Sequence, residues 1–207
     1  MTYVPAKMQR PSDAVITDVL QRASLATVVS PGPNGLEISH VPLDVRGAGD
    51  LSAVDIRFHL AAANPHADVL TRRTAVAVII RGPDAYISPT WYDYEGVPTW
   101  DYAFVHAFGT SVPLAGDDLE DHLRHLVERA EPGLSIRAEV IRRYMSAILG
   151  FRVEEPTIQP VFKLSQDKSE MNVRSVVSHL KDRDRWLDRS TAELVEVFLE
   201  PEKMSKE

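Results

Sequence analysis

The chain has 207 residues, 30 of them acidic and 23 basic, and its formal charge is −7. It contains no cysteine, which excludes disulfide scaffolds, thiolate metal sites and cysteine nucleophiles. A chain of this length buries roughly 70% of its unfolded surface, so it is expected to fold as a single domain without a structural metal.

The segment Met1–Arg10 has no apolar core of the kind found in signal peptides. The longest apolar run, Ala75–Ile80, is far shorter than the ~20 residues of a membrane-spanning helix. The sequence therefore predicts a soluble protein without a membrane partner, and the lack of cysteine favours a cytoplasmic location.

The charge pattern bears on nucleic-acid binding. In the longest basic segment, Lys181–Arg189, aspartates lie between the basic residues, whereas proteins that bind duplex DNA usually concentrate lysine and arginine on one face. We therefore expect a solvated helix face here and no tight, direct binding to DNA.

The first part of the chain predicts a helix followed by a β-meander. Apolar residues at helical spacing predict a helix over Ser12–Ala23, and Pro31–Gly35 predicts a hairpin turn. The predicted strands are Leu25–Ser30, Leu36–Val45, Ile56–Ala61, Ala75–Ile80, Ala85–Tyr92 and Thr99–Leu114. The composition of Ala75–Ile80 is typical of a strand buried on both faces.

The C-terminal third predicts more helix. Helices are expected over Asp117–Ala130 and Glu139–Leu149, followed by a strand over Phe151–Ser165 and a helix over Val173–Lys181. A last helix is expected to begin at a capping box, Ser190–Glu193, and to end at Leu199. The expected fold is α+β, with a barrel or curled sheet of five to seven mostly antiparallel strands decorated by helices. One domain would span residues 1–207, with a helical C-terminal extension from about residue 168.

The first candidate for a ligand site is the turn from His59 to His66. Asn64 is a favoured N-cap and Pro65 suits the first helical turn, so a short helix is predicted to begin there and to run through Leu70. A strand that meets a helix N-terminus through small residues exposes backbone N–H groups, which suits a phosphate. From the residues alone, an ordinary capped helix preceded by a buried histidine is the simpler explanation of this segment.

A second candidate is an aromatic region over Gly82–Tyr92 and Val97–Tyr102. It places five aromatic side chains within 17 residues: Tyr86, Trp91, Tyr92, Trp100 and Tyr102. Aromatic and hydroxyl-bearing residues on turns suit a flat, hydrogen-bonding ring, although an aromatic core or a dimer interface has the same composition. A weaker signal is Phe162–Asp167, where Lys163, Ser165 and Gln166 follow a strand.

Sequence signatures of other sites are absent. There is no GxGxxG, P-loop, GxSxG or HExxH motif. His122 and His125 are spaced for one face of a helix, but no third metal ligand is nearby in the sequence, so we expect a solvated helix face and no metal site.

Seven motifs, taken in order, resemble the PaiB family of FMN-binding split-barrel regulators. They are YVP at Tyr3–Pro5, SHVPL at Ser39–Leu43, HLAAANP at His59–Pro65, GPDAYISPTWY at Gly82–Tyr92, VPTWDY at Val97–Tyr102, VHAFG at Val105–Gly109 and FKLSQD at Phe162–Asp167. The similarity extends from residue 3 to about residue 180. It implies the FMN-binding split β-barrel fold and a homodimer that holds FMN at the subunit interface.

The resemblance also assigns roles to residues. It implies a phosphate site at His59 and at Ala63, Asn64 and Pro65, in agreement with the turn described above. By the same analogy the flavin ring is lined by His40, Val41, Pro42, Ser88, Trp91, Thr99 and Trp100, and is approached across the dimer by Lys163 and Gln166. No catalytic residue is assigned.

The chain departs from the family pattern at three positions. Ala62 stands where the pattern has arginine, and Asp101 and Asp167 stand where it has asparagine. The loss of an arginine removes a charge-assisted contact to a phosphate worth about 1.5–3 kcal/mol. The sequence therefore predicts FMN binding that is weakened or lost.

Three functions follow from these observations. The first is an FMN-binding protein with a regulatory role. The second is a flavin-dependent oxidoreductase of small molecules, because the fold alone does not decide the function. The third is a ligand-free structural or interaction dimer.

Overall fold

The computed structural model describes residues 10–47 and 49–199. The Tyr3–Pro5 motif lies outside the described residues. The strands are β1 (Leu25–Gly32), β2 (Gly35–Arg46), β3 (Asp55–Ala61), β4 (Ala75–Ile87), β5 (Thr99–Leu114) and β6 (Ile148–Lys163). The α-helices are α1 (Asp13–Arg22), α2 (Pro65–Leu70), α3 (Asp117–Ala130), α4 (Ala138–Met145), α5 (Glu170–Arg183) and α6 (Asp188–Leu199), with 3₁₀ turns at Leu51–Ala53 and Pro89–Trp91.

The strands form a closed barrel in the order β1-β2-β3-β6-β5-β4. Antiparallel ladders join β1 to β2, β1 to β4, β2 to β3 and β3 to β6. Because successive side chains of a strand point to opposite faces, Phe58 is fully buried while its neighbours Arg57 and His59 are half-buried. Leu43 and Phe151 are fully buried as well. The Phe58 and Phe151 rings stack with centroids 5.7 Å apart. The expected α+β barrel of mostly antiparallel strands is confirmed.

The described chain divides into two compact units. Unit 2 comprises residues 20–80 and 106–158, and unit 1 comprises the described parts of residues 1–19, 81–105 and 159–207. Among the described residues, no helix is both long and apolar enough to cross a membrane.

Local sequence signals explain several element boundaries. The β1–β2 turn closes with Gly32 opposite Gly35, and Gly35 has a φ of 125° that favours glycine. Gly109, the last residue of the VHAFG motif, lies so close to β6 that an added Cβ would be 2.6 Å from the carbonyl oxygen of Glu154. The Asn64 side chain caps α2 by accepting a hydrogen bond from the backbone N–H of His66, so the predicted short helix is confirmed.

Two predictions for strands and one for a helix were wrong. Ala75–Ile80 and Ala85–Tyr92 do not form separate strands, because β4 runs without a break from Ala75 to Ile87. Ala75–Ile80 is also fully buried on one face only, since its exposure alternates along the strand. The helix expected over Glu139–Leu149 ends at Met145, because Ile148 and Leu149 pair with β3 opposite Ala61 and Leu60.

The capping box predicted at Ser190–Glu193 does not form the start of the last helix. Helix α6 begins at Asp188, which places Ser190 inside it. The Asp188 carboxylate accepts a hydrogen bond of 2.9 Å from the backbone N–H of Arg185 and pairs with Arg183. Asp188 thus accepts hydrogen bonds at the start of α6, a role that the capping-box spacing had assigned to Ser190.

Candidate functional site

In unit 2, the turn between β3 and α2 uses most of its own hydrogen-bonding groups. Asn64 Oδ1 accepts from the N–H of His66 at 3.0 Å, and Asn64 Nδ2 donates to Ser39 Oγ at 3.2 Å. The N–H of Ala67 donates to the carbonyl of Asn64. Ala62 and Ala63 are exposed. The turn therefore presents an open surface to a ligand, but the Asn64 amide is already occupied in holding the turn.

The buried ring of His66 connects this turn to β1 and β2. The sequence had not indicated His66 as a site residue. Its ring is 1% exposed, and its two nitrogens lie 2.9 Å from Ser30 Oγ and 2.9 Å from Ser39 Oγ. Burial lowers the pKa of His66. A neutral ring that bridges two serines fixes the start of α2 against β1 and β2.

The expectation of a solvated face at His122 and His125 is wrong for His122. His122 is fully buried, and its Nε2 lies 3.0 Å from Nδ1 of His59 on β3. The two rings pack edge to face with centroids 5.3 Å apart. His122 of α3 thus packs on His59 of β3. The spacing of residues within the helix could not predict this tertiary contact.

Asp44 of β2 is the buried centre of this cluster. The side chain has no exposed surface, and its oxygens accept from His122 Nδ1 at 3.4 Å, His125 Nδ1 at 2.5 Å and Arg46 Nε at 3.0 Å. Burial opposes ionisation, but the hydrogen bonds from His122 and His125 and the charge of Arg46 lower the pKa of Asp44 to about 2. Asp44 is therefore a carboxylate at neutral pH. We call Asp44, His122 and His59 the Asp–His–His chain.

His59, predicted for the phosphate, is the end of this chain. Its ring is half-buried, and burial together with the neighbouring His122 lowers its pKa to about 4. No group of three or more acidic or histidine side chains in the described residues has the arrangement of a metal site.

The β2 residues predicted beside the ring differ in accessibility. His40 is exposed, with Nδ1 3.0 Å from Thr27 Oγ1, and Pro42 is half-buried. Val41 is only 1% exposed because its side chain belongs to the barrel core. Val41 could therefore contact a ligand through its backbone but not through its side chain.

Unit 1 contains a cavity of about 580 Å³, which we call the Lys163 cavity. Its lining residues are Tyr92, Tyr94, Glu95, Gly96, Val97, Thr99, Lys163, Ser165, Asp167 and Lys168. Lys163 Nζ donates to Thr99 Oγ1 at 2.6 Å and to the carbonyl of Trp100 at 2.7 Å. Two of the residues predicted from the resemblance, Thr99 and Lys163, thus meet in one cavity.

Aromatic rings and unpartnered polar atoms mark this cavity. Tyr92 and Tyr94 stack with their planes 4° apart, and Lys168 Nζ lies 5.5 Å from the centroid of Tyr92. The buried Oη of Tyr92 has no hydrogen-bond partner among the described residues. A buried hydroxyl without a partner is costly, so this atom indicates a place where a ligand can supply an acceptor or donor.

Asp101 lies beside the lining residues and is fully buried. Its Oδ2 accepts from Ser165 Oγ at 2.7 Å, whereas its Oδ1 has no hydrogen bond among the described residues and lies 3.8 Å from Lys163 Nζ. Burial raises the pKa of Asp101 to about 6. The departure from asparagine at this position therefore puts a titrating group next to Lys163.

Of the other residues predicted for the ring, Ser88, Trp91 and Gln166 have structural roles in unit 1. Ser88 caps the 3₁₀ turn through Thr90, and Trp91 packs on α5, stacked on His179 with Arg183 5.0 Å from its centroid. Trp100 is 54% exposed. Gln166 caps the end of β6 by accepting from Leu164 N–H and donating to the carbonyl of Phe162.

Several candidate residues were missed by the sequence interpretation: Asp44, His66, His122, Tyr94 and Lys168. Tyr94 lies two residues after the Gly82–Tyr92 motif, and Lys168 directly follows the Phe162–Asp167 motif. An aromatic ring and a cation at these positions could have been recognised as possible ligand contacts. Asp44 gave none, because a single aspartate in a strand is usually exposed.

Comparison with known proteins places these features in a family. Residues 2–155 match the model of a family described as "Putative FMN-binding domain". The chain is 30% identical over 201 residues to protease synthase and sporulation protein PAI 2 of Bacillus subtilis (strain 168), an alignment that covers 94% of this chain and 96% of that protein. It is 32% identical over 121 residues to an uncharacterized protein of Saccharomyces cerevisiae, over 52% of this chain and 70% of that protein.

Solved structures share the fold at low sequence identity. The FAD and heme binding protein from Mycobacterium smegmatis superimposes with a TM-score of 0.58 at 18% identity, covering 77% of this chain and 76% of that one. The flavocytochrome Anf3 from Azotobacter vinelandii gives a TM-score of 0.56 at 14% identity, covering 74% and 68%. The family match and the nearly full-length similarity to the Bacillus protein show that this chain belongs to the PaiB family of FMN-binding split-barrel proteins.

Proposed function

We propose that the chain is a regulatory protein that senses or uses FMN as a dimer. The phosphate is bound by His59 and Ala63–Pro65 of one protomer, and the flavin ring by the Lys163 cavity residues of its partner. The observation that carries the proposal is the Lys163 cavity, whose volume of about 580 Å³ lies within the range of about 300–1,000 Å³ typical of ligand sites. Bound FMN would supply redox chemistry.

The cavity residues fit a flavin ring. Such a ring has flat faces and an edge of carbonyl and N–H groups, and these match tyrosine rings, a lysine and hydroxyl groups. The half-buried Lys163 ammonium and the Oη of Tyr92 are the polar groups proposed to meet the ring edge. Trp91 and Gln166, which the resemblance also implied, would support the site through α5 and the end of β6.

We further propose a homodimer. Leu36 and Ile38 are 71% and 59% exposed and lie two residues apart on β2, and Leu25 on β1 is 62% exposed. Exposed apolar side chains of this kind favour contact with another chain. In the proposed dimer each protomer contributes to FMN binding, as the family resemblance implies.

The regulatory part of the proposal rests on the similarity to the Bacillus sporulation protein and includes a cytoplasmic location. Direct binding to DNA is not part of it, because three of the four basic side chains in Lys181–Arg189 are paired with acids: Lys181 with Glu196, Arg183 with Asp188 and Arg189 with Asp184. Regulation would then act through FMN or a protein partner. Sub-micromolar, strongly salt-dependent binding to duplex DNA at ~150 mM salt would contradict this part.

FMN titration followed by flavin fluorescence tests the site. Ala62 is exposed, so Ala62→Arg places a guanidinium at the phosphate position and should tighten FMN binding about tenfold, equivalent to ~1.4 kcal/mol. Asn64→Asp keeps the capping acceptor but adds an anion, and should weaken binding.

Ala115→Arg is the matched control, since Ala115 is exposed and outside both proposed parts of the site. It should leave FMN affinity unchanged. If wild type fails to bind FMN, or if all four proteins bind it alike, the phosphate position is refuted and a ligand-free dimer becomes the better description.

A further inference from the structure

The Asp–His–His chain determines which nitrogen of His59 carries a proton. Asp44 is ionised and can only accept hydrogen bonds, so His122 Nδ1 at 3.4 Å and His125 Nδ1 at 2.5 Å must both donate to it. A neutral His122 then has a bare Nε2, which accepts from His59 Nδ1 at 3.0 Å. The outer nitrogen of a neutral His59, Nε2, is consequently left without a proton.

A single added proton reverses this arrangement. If His59 is protonated, both its nitrogens carry protons. If the proton is instead held by His122, that ring donates from Nε2 to His59 Nδ1, and His59 must again carry its proton on Nε2. In either state His59 Nε2 becomes a donor, and the positive charge lies on one of two rings in line with the Asp44 carboxylate.

We infer that anion binding at His59 is coupled to the uptake of one proton by the Asp–His–His chain, so that the phosphate of FMN is bound together with a proton taken from solvent. This inference rests on the proposed function, because it concerns the phosphate position of the same site. It explains how a histidine that is an acceptor in the free protein can bind a phosphate dianion.

The charged groups around His59 lie on β2, β3, β6 and α3. On β3, Arg57 lies two residues away and pairs with Asp55 and Asp121. On β6, Gly150 lies opposite His59 and introduces no charge. Other charged or titratable groups around the chain are Arg46 on β2, Asp121 and His125 on α3, and Arg152 on β6 opposite Arg57.

Burial and His122 lower the pKa of His59 to about 4 in the free protein, so His59 is neutral at neutral pH and a proton has to be taken up before both of its nitrogens can donate. The second ionisation of a phosphate ester has a pKa of ~6. At pH 8 both partners are therefore deprotonated before binding, and one proton must enter from solvent if His59 is to donate.

Calorimetry of FMN binding at pH 8 in buffers of different ionisation enthalpy measures this proton directly. Wild type should take up close to one proton per FMN, and its Kd should rise about tenfold per pH unit between pH 7 and 8.5. Riboflavin, which lacks the phosphate, should bind without proton uptake. His59→Gln should bind FMN without proton uptake. The control His106→Gln, on β5 and outside both proposed parts of the site, should retain it.

Nitrogen NMR of the histidine rings tests the chain without FMN. At pH 7.5 the free protein should show His59 protonated at Nδ1 and bare at Nε2. A proton on Nε2 in the free protein, or FMN binding by wild type at pH 8 without proton uptake, would overturn the inference and leave FMN binding itself intact. A failure of wild type to bind FMN would instead refute the proposed function.

Discussion

Two buried aspartates in this protein titrate in opposite directions because their partners differ. Asp44 accepts hydrogen bonds from two histidines and an arginine, which hold its pKa at about 2 in spite of burial. Asp101 has Ser165 as its hydrogen-bond donor, and burial raises its pKa to about 6. The number of donors around a buried carboxylate therefore decides whether it remains ionised.

These shifts have opposite consequences for stability. Because folding raises the pKa of Asp101, its contribution is fully present below pH ~3.8 and is lost as pH rises through about 6. Folding lowers the pKa of Asp44, so its contribution is present above pH ~3.8 and is lost as pH falls through about 2.

Replacement of Asp101 by asparagine tests whether this buried carboxyl titrates near pH 6. Asp101→Asn removes a buried charge whose Oδ1 has no hydrogen bond among the described residues, so it should raise the free energy of unfolding at pH 8 by about 1–3 kcal/mol. At pH 4 the carboxyl is already protonated and the gain should vanish. Denaturant unfolding at both pH values measures the effect, with the exposed Asp118→Asn as control. An equal change at both pH values would contradict a titrating Asp101.

At the scale of elements, the short helix α2 depends on side chains from outside it. Asn64 accepts from the N–H of His66 and donates to Ser39, and His66 contacts Ser30 and Ser39 on the β1–β2 hairpin. A helix of six residues is too short to be stable alone. Its position beside the proposed phosphate site is therefore imposed by these contacts.

Asn64→Ala should lower the free energy of unfolding by about 1–2 kcal/mol, because it removes the cap and leaves Ser39 without one donor. Asn64→Asp, which keeps the acceptor for His66, should lose less. Thermal or denaturant unfolding of both variants gives the comparison. Equal losses would show that the bond to Ser39, and not the cap, is the stabilising contact.

At the scale of the whole molecule, the apolar surface of the β1–β2 hairpin is proposed to form the dimer contact. Ile38 is 59% exposed and lies opposite Val29 in the antiparallel ladder. Ile38→Lys places a charge within that surface and should convert a dimer into a monomer at micromolar concentration, because an unpaired charge is costly in an interface.

Sedimentation velocity measures the expected change. Leu134→Lys is the matched control, since Leu134 is an exposed leucine away from the hairpin at 42% exposure, and it should leave the dimer intact. A wild type that sediments as a monomer at micromolar concentration would refute the dimer, and a dimeric Ile38→Lys variant would refute the hairpin as its contact.

The sequence by itself determined the features that depend on local chemistry. Periodicity and capping residues predicted α1, α3 and α2 with its Asn64 cap, and the glycines at the β1–β2 turn predicted the hairpin. Motif order determined the family and with it the barrel. These signals succeed because helix spacing, caps and tight turns are short-range properties of the chain.

Only the tertiary structure decided what the polar side chains contact. His122 lies on a helix whose composition indicates solvent exposure, yet it is buried between Asp44 and His59, which are 78 and 63 residues away in the sequence. Pairing with β3 likewise converted Ile148 and Leu149 from helix to strand. In each case the energy comes from contacts distant in sequence, because burial, long-range hydrogen bonds and strand pairing outweigh local propensity.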